Sequence, residues 1–238
     1  MAKILITGAT SGIGEALAKL CAEHGHFIIA CGRNQEKLAE LAQHNNIDAC
    51  QFDVTDEQAT KEALAGVTCD IAVLNAGTCE YVDVTNVEAD MFKRVFEANV
   101  FGVINVVTSL LPNLRKGNKL VFVDSLARLL PFPRSQAYGG SKAALNYIAK
   151  SFEVDLAHTG IKVQTLSPGF VKTPLTDKND FPMPMVINAE AAAEYMLKGI
   201  FSSSSNVYFP RRFGFIIRLL NLLPQSLQKR ICINMRQN

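Results

Sequence analysis

Tyr138 and Lys142 stand four residues apart in Tyr138-Gly139-Gly140-Ser141-Lys142, thirteen residues after Ser125. On a helix such a pair shares one face. A phenol titrates near pH ~10 and is a poor proton donor or base at neutral pH. A lysine ammonium held beneath it favours the phenolate and brings its pKa down toward the working range. Ser125 is expected at the end of a preceding strand, where its hydroxyl can hold a substrate oxygen beside the phenol. Gly139 and Gly140 weaken a helix by up to ~1 kcal/mol each relative to alanine, which suggests that backbone is closely approached there. Taken alone, the Tyr-Lys pair also fits an exposed helix face, and Ser125 a strand-end cap. The elements that position them decide.

The chain has 238 residues, 48% of them hydrophobic, enough to bury one large core. Short apolar runs at Lys3–Thr7, Phe27–Cys31, Asp48–Phe52, Asp70–Leu74, Lys119–Asp124, Lys162–Ser167 and Asn206–Phe209 alternate with helical patterns near 13–24, 35–44, 56–65, 89–113, 136–158 and 189–200. In the longest, Met91, Val95, Ala98, Phe101, Ile104, Val107 and Leu111 recur at helical spacing. This alternation predicts an α/β, doubly wound (Rossmann) fold: a mostly parallel seven-stranded sheet with helices on both faces. It forms a single domain over 1–210, followed by a basic, apolar helical extension over 211–238. No internal repeat or linker interrupts the chain.

Net charge is +2, which makes no case for nucleic-acid binding. The six cysteines show no metal-like spacing and several lie in apolar runs. A reduced, cytoplasmic compartment and no metal site are expected. Lys3 to Thr7 already reads as a strand, so no signal peptide is expected. No uninterrupted apolar run approaches the ~18 residues of a membrane span.

Between the first strand and first helix lies Thr7-Gly8-Ala9-Thr10-Ser11-Gly12-Ile13-Gly14. Gly8 permits a tight turn, Gly12 lets backbone approach a pyrophosphate, and Gly14 allows close helix–strand packing. The helix N-terminus offers unpaired N–H groups to the anion. After the second strand the chain reads Ala30-Cys31-Gly32-Arg33-Asn34. An acid there would bond a ribose 2′-OH, whereas an arginine accepts a 2′-phosphate. Arg33 therefore favours NADP(H), with NAD(H) the alternative and a solvated surface charge the bland reading. Asp53 and Val54, after the third strand, are placed to contact adenine, although Asp53 equally suits a turn or helix cap.

Together these motifs resemble the short-chain dehydrogenase/reductase family from about residue 3 to residue 210. The glycine turn is similar to the family's T-G-x-x-x-G-x-G, and Asn75-Ala76-Gly77 to its N-A-G, which steadies the central sheet near the cofactor. Asn99 matches the helix asparagine that holds a water leading to the lysine. Ser125, Tyr138 and Lys142 match the catalytic serine and Y-x-x-x-K. Pro168-Gly169-Phe170-Val171-Lys172-Thr173 is similar to the P-G-x-V-x-T bordering the nicotinamide. The resemblance implies an NAD(P)-dependent oxidoreductase that interconverts a small or apolar alcohol and carbonyl. Tyr138 is then the acid/base and Lys142 a ligand of the nicotinamide ribose. In isolation Asn99 also reads as a buried amide satisfied by backbone. Helices 89–113 and 136–158 resemble the family's dimer-forming pair, implying a homodimer or homotetramer. A membrane-associated reductase of lipid substrates, or a dinucleotide-binding regulator without turnover, are the other readings.

One position departs from the pattern: family members often carry glycine three residues after the catalytic serine, and here stands Arg128. It is expected to point to solvent, or else to meet an anionic substrate group. Residues 173–188, with Phe181, Met183 and Met185, match a substrate-covering loop, or an ordinary surface loop. The tail from Arg211 to Asn238 carries six basic residues and no acids, leaving 18 basic against 22 acidic groups before it. Phe213, Ile216, Ile217, Leu220 and Leu223 form one helical stripe, and Phe215, Leu219 and Leu222 another. A helix apolar nearly all round should be buried, against its own domain or a partner subunit. Peripheral contact with anionic lipid is the alternative.

Overall fold

Ile4, Leu5 and Ile6 are all fully shielded from solvent in β1 (Lys3–Thr7), as are Ala72 and Val73 in β4 (Ile71–Leu74). Consecutive rather than alternate residues are apolar because the sheet is covered on both faces. The computed structural model describes residues 1–235. Along the chain follow α1 (Gly12–Glu23), β2 (Phe27–Gly32), α2 (Gln35–Leu41), β3 (Ile47–Gln51), α3 (Glu57–Ala63) and β4. Next come α4 (Ala89–Phe96), α5 (Gly102–Leu110), β5 (Lys119–Val123), α6 (Gln136–Leu156), β6 (Lys162–Pro168), β7 (Val171–Lys172), β8 (Ile187–Asn188), α7 (Ala189–Ile200), β9 (Asn206–Phe209), α8 (Arg211–Asn221) and α9 (Gln225–Asn234).

The main sheet is seven-stranded, wholly parallel, in the order β3-β2-β1-β4-β5-β6-β9. One face packs on α1 and α7 through Leu17, Cys21, Met196 and Ile200. The other packs on α5 and α6 through Val103, Val107, Leu110 and Leu145. Strand order reverses between β1 and β4, so the crevice beyond their carboxyl ends is where such sheets take ligands. The expected fold class is the observed one.

Three features differ from the expectation. The helix expected over 89–113 is interrupted by a π-helical turn, Glu97–Phe101, between α4 and α5. Such turns gather at functional sites, and this one carries Asn99. The whole run Ala89–Asn113 is long and apolar enough to cross a membrane. However, Val95, Val103, Val106 and Leu110 are buried within the protein, so it is a core element. β7 and β8 form a small second sheet that the strand pattern did not announce. Finally, the tail helices are only half covered: Phe213 and Ile217 are buried, while Phe215, Leu219 and Leu222 are exposed. The end of the expected extension, 236–238, lies outside the described residues.

Candidate active site

The glycine turn is closed by backbone fit. Gly8 (φ 67°) and Gly12 (φ 54°) adopt the left-handed conformation that disfavours other residues. A Cβ on Gly14 would overlap the Gly8 carbonyl oxygen. Ser11 caps α1 without a side-chain hydrogen bond, so N–H groups of the first turn remain available to an anion. The Thr7 hydroxyl accepts from the Asn75 and Ala76 N–H groups, both at 3.0 Å, and the Asn75 amide donates to the Thr7 carbonyl at 3.1 Å. Thr7 thereby pins the end of β4 to the end of β1, a role that the motif reading gave to Asn75, Ala76 and Gly77 alone.

Around this turn, Thr10 packs against Gly32 and Thr173 against Gly12. Arg33 is exposed at the end of β2 and reaches Asp53 at 3.3 Å. Asp53 also accepts from the Thr55 N–H and hydroxyl at 3.0 and 2.8 Å, so its carboxylate closes a turn. Val54 lies against Gly102, and its carbonyl accepts from Asn105 at 2.9 Å. The side chains of Ile13 and Val171 pack with the core on the α1 and α7 face, which leaves their backbone as the part able to meet a nucleotide.

Gly77 connects this end to the residues expected to be catalytic. A Cβ there would lie 2.7 Å from Asn99 Oδ1 and 3.4 Å from Lys142 Nζ. Asn99 accepts from the Thr78 N–H at 2.7 Å and donates to the Thr78 carbonyl and the Ser141 hydroxyl, both at 2.9 Å. Its carboxamide is thus spent on holding 77–78 against α6. The side chain is a buried amide satisfied by Thr78 and Ser141, as its type alone also allowed.

Tyr138 and Lys142 share one face of α6, with Lys142 Nζ 6.0 Å from the phenol ring centre. Lys142 is buried and donates to the Val123 carbonyl at 2.9 Å. Ser125 follows β5, and its hydroxyl accepts from the Ala127 N–H at 3.1 Å and faces the Pro168 carbonyl at 3.5 Å. Gly139 lets α6 settle onto this turn, since a Cβ would stand 3.1 Å from the Ala127 carbonyl oxygen. That glycine therefore serves the approach of Tyr138 to Ser125; a Cβ on Gly140 would meet only the Phe96 ring, at 3.8 Å. The phenol pKa is raised here rather than lowered as expected. Burial pushes Tyr138 well above its ordinary value, with Ser125 pulling the other way. Burial also lowers Lys142 to about 8, against the pull of Asp124 and Cys79. A lysine so desolvated is a weakened source of positive charge for its neighbour.

Arg128 overturns both sequence expectations. It points neither to solvent nor into the cleft but inward, its Nε 2.6 Å from Asp124 Oδ2, with both side chains buried. Asn146 donates to the same oxygen at 2.8 Å. Burial raises the Asp124 pKa, opposed chiefly by Arg128. An acid directly before Ser125 needs this counter-charge, because a buried lone carboxylate is costly. The signal was in the sequence as Asp124 and Arg128 at helical spacing.

Ser125 and Tyr138 face a cavity of about 560 Å³, lined mainly by apolar side chains from four remote segments: 79–81, 125–138, 169–184 and 213–235. Phe181, in the loop expected to cover the substrate, packs edge-on against Tyr81 at 5.3 Å. Arg134 bonds Asp180 at 2.6 Å and lies 5.5 Å over the Tyr81 ring. The motif reading did not reach Cys79, Tyr81, Arg134 or Phe132. Phe213 and Ile217 entered it only as members of a stripe.

The family model of short chain dehydrogenases matches residues 2–182. An uncharacterized oxidoreductase of Myxococcus xanthus is 34% identical over 235 residues, covering 94% of this chain and 93% of its own. A serine 3-dehydrogenase of Rhizobium radiobacter is 36% identical over 207 residues, covering 83% and 80%. Among solved structures, a short chain dehydrogenase from Burkholderia cenocepacia in complex with NADP superimposes with a TM-score of 0.87 at 22% identity, covering 96% of each chain. On the family match and the similarity to the Myxococcus protein, the chain belongs to the short-chain dehydrogenase family.

Proposed function

We propose that the protein is an NADP(H)-dependent oxidoreductase interconverting an apolar ketone or aldehyde and its alcohol, with Tyr138 as general acid and base. One observation carries this reading: Ser125, Tyr138 and Lys142 converge between an apolar cavity and the glycine turn, linked through Gly77. The residues suit a dinucleotide phosphate: a cradle at Gly8, Gly12 and Gly14 that a Cβ would fill, an uncapped helix N-terminus, and an exposed cation at Arg33. The bound NADP of the Burkholderia relative supports the same choice. When bound, the nicotinamide would supply or accept the hydride.

The side chains do the rest. Ser125 donates to the carbonyl oxygen, orients it and polarises it. Tyr138 delivers the proton to that oxygen, or removes it from the alcohol. Lys142 would hold the nicotinamide ribose with its ammonium and supplies positive charge beside the phenol. Asn99 acts as a positioning residue that keeps Gly77 and Thr78 packed on α6. Exposed Phe101, Tyr147 and Val154 near α5 and along α6 support a homodimer or homotetramer through those helices.

The cavity favours apolar substrates over amino acids. Among the described residues its lining holds one cation, Arg134, which is engaged with Asp180, so a substrate carboxylate would have to compete for it. The test is NADPH consumption with a panel of cyclic and aryl ketones, NADH in parallel, and serine with NADP⁺ in the reverse direction. Ketone reduction preferring NADPH is expected, with Tyr138→Phe losing at least ~10³-fold in kcat while binding NADPH as the parent does. Near-native turnover by Tyr138→Phe, or serine as the best substrate, would overturn the reading.

A further inference from the structure

α8 and α9 together expose Arg211, Arg212, Arg218, Lys229 and Arg230, and no acidic residue occurs from 211 to 235. Among them stand Phe215, Leu219 and Leu222, exposed by 66%, 54% and 81%, with Ile216, Leu227 and Ile233 also in solvent. Large apolar side chains gathered on one element mark a surface that something covers. Beside the start of α8, a hollow of about 700 Å³ is lined by Lys198, Arg211 and Arg218 together with Ser202 and Ser204. Arg218 is held there over the Tyr208 ring at 4.6 Å. One carboxylate reaches Lys198, that of Glu194 at 3.6 Å, and both side chains of that pair are exposed.

A second copy of the chain suits this face poorly. A two-fold contact sets a patch against itself, and here that would bring five cations onto five cations with no acid between them. An anionic lipid surface satisfies both halves of the pattern, apolar side chains entering the acyl boundary while arginine and lysine meet phosphate. The arrangement also relates to the cavity: Phe213, Ile217 and Met235 of the same arm line it. We propose that the outer face of α8 and α9 docks the protein on anionic phospholipid bilayers, with the Lys198-Arg211-Arg218 hollow accepting a lipid phosphate. This rests on the surface alone and not on the redox reading.

The experiment is co-sedimentation of the full chain with vesicles of phosphatidylcholine alone and of phosphatidylcholine with about one third phosphatidylglycerol. Binding to the anionic vesicles only, weakened at ~0.5 M salt, is expected. Phe215→Ser/Leu219→Ser/Leu222→Ser should reduce the bound fraction at least tenfold with an unchanged melting temperature, and Arg211→Gln/Arg212→Gln should reduce it severalfold. Three results would each overturn the proposal: no binding by the parent, equal binding to neutral vesicles, or a dimer in solution that the triple substitution converts to monomer while neither form pellets. Absence of any ketone turnover would sink the redox reading and leave the vesicle result standing.

Discussion

At the nucleotide end of the cleft the fit is made by backbone, in glycines that a Cβ would obstruct and in the first turn of α1. At the substrate end it is made by side chains, Tyr81, Phe132, Phe181, Phe213 and Ile217 among them, drawn from segments up to 136 residues apart. Backbone fit depends on what a residue lacks, so few replacements are tolerated and the order of residues along the chain is fixed. Side-chain fit depends on volume and polarity, which many residues can supply. On the proposed function, the first end suits one kind of ligand, and the second can be rebuilt for many.

The sharpest test of this contrast is Gly14→Val. Its side chain would collide with the Gly8 carbonyl oxygen, and backbone there cannot yield. Loss of soluble protein, or of NADPH binding by at least ~100-fold in a fluorescence titration, is expected. A variant that binds normally would show that the turn is not the nucleotide cradle. At the junction of the two ends, Arg128→Met should cost about 3–5 kcal/mol in urea unfolding, because it strands a buried carboxylate. Adding Asp124→Asn should recover most of that loss. If the single variant is as stable as the parent, the pair is not holding the base of the Ser125 turn.

Lys142 offers a test by pH. Its folded pKa is about 8 against 10.5 for the ordinary group, so between those values the unfolded chain binds more protons than the folded one. Stability must then rise with pH over that window, and the cost is fully present below pH 8. Relative to Lys142→Met, the parent should gain about 2 kcal/mol between pH 7.5 and 9.5 in urea titrations. A flat difference would mean that the lysine is not desolvated. The smallest effect is expected at the substrate end. Phe213→Ala should raise KM for an apolar ketone by roughly tenfold, the order of one lost apolar contact of ~1–2 kcal/mol, and leave KM for NADPH unchanged. A change in both would tie the arm to the nucleotide after all.

The same contrast explains what could be read in advance. The seven parallel strands follow from uninterrupted apolar runs, and the glycine turn from residues that must be small at fixed spacing. Tyr138 and Lys142 meet because helix geometry places them on one face. By contrast, Arg128 was misjudged: the arginine of an exposed loop and the arginine that neutralises a buried neighbour look alike until the depth of Asp124 is known. Asn99 stands out in the sequence by its motif, but its π-helical setting and its bonds to Thr78 and Ser141 depend on tertiary packing. β8 has two residues, too short for any period. The cavity wall from α8 could not be inferred because nothing in Phe213 or Ile217 distinguishes a lining from an ordinary core.

α8 begins directly after Pro210, with Phe213 and Ile217 turned inward and Phe215, Leu219 and Leu222 turned outward. An α-helix advances ~100° per residue, so one extra residue between β9 and Phe213 would rotate the two stripes out of place together. The cleft would lose its aromatic wall at the moment the basic surface lost its greasy crest. Loop length at this joint is therefore under a double constraint, and any lengthened homologue must have reinvented both surfaces or kept neither.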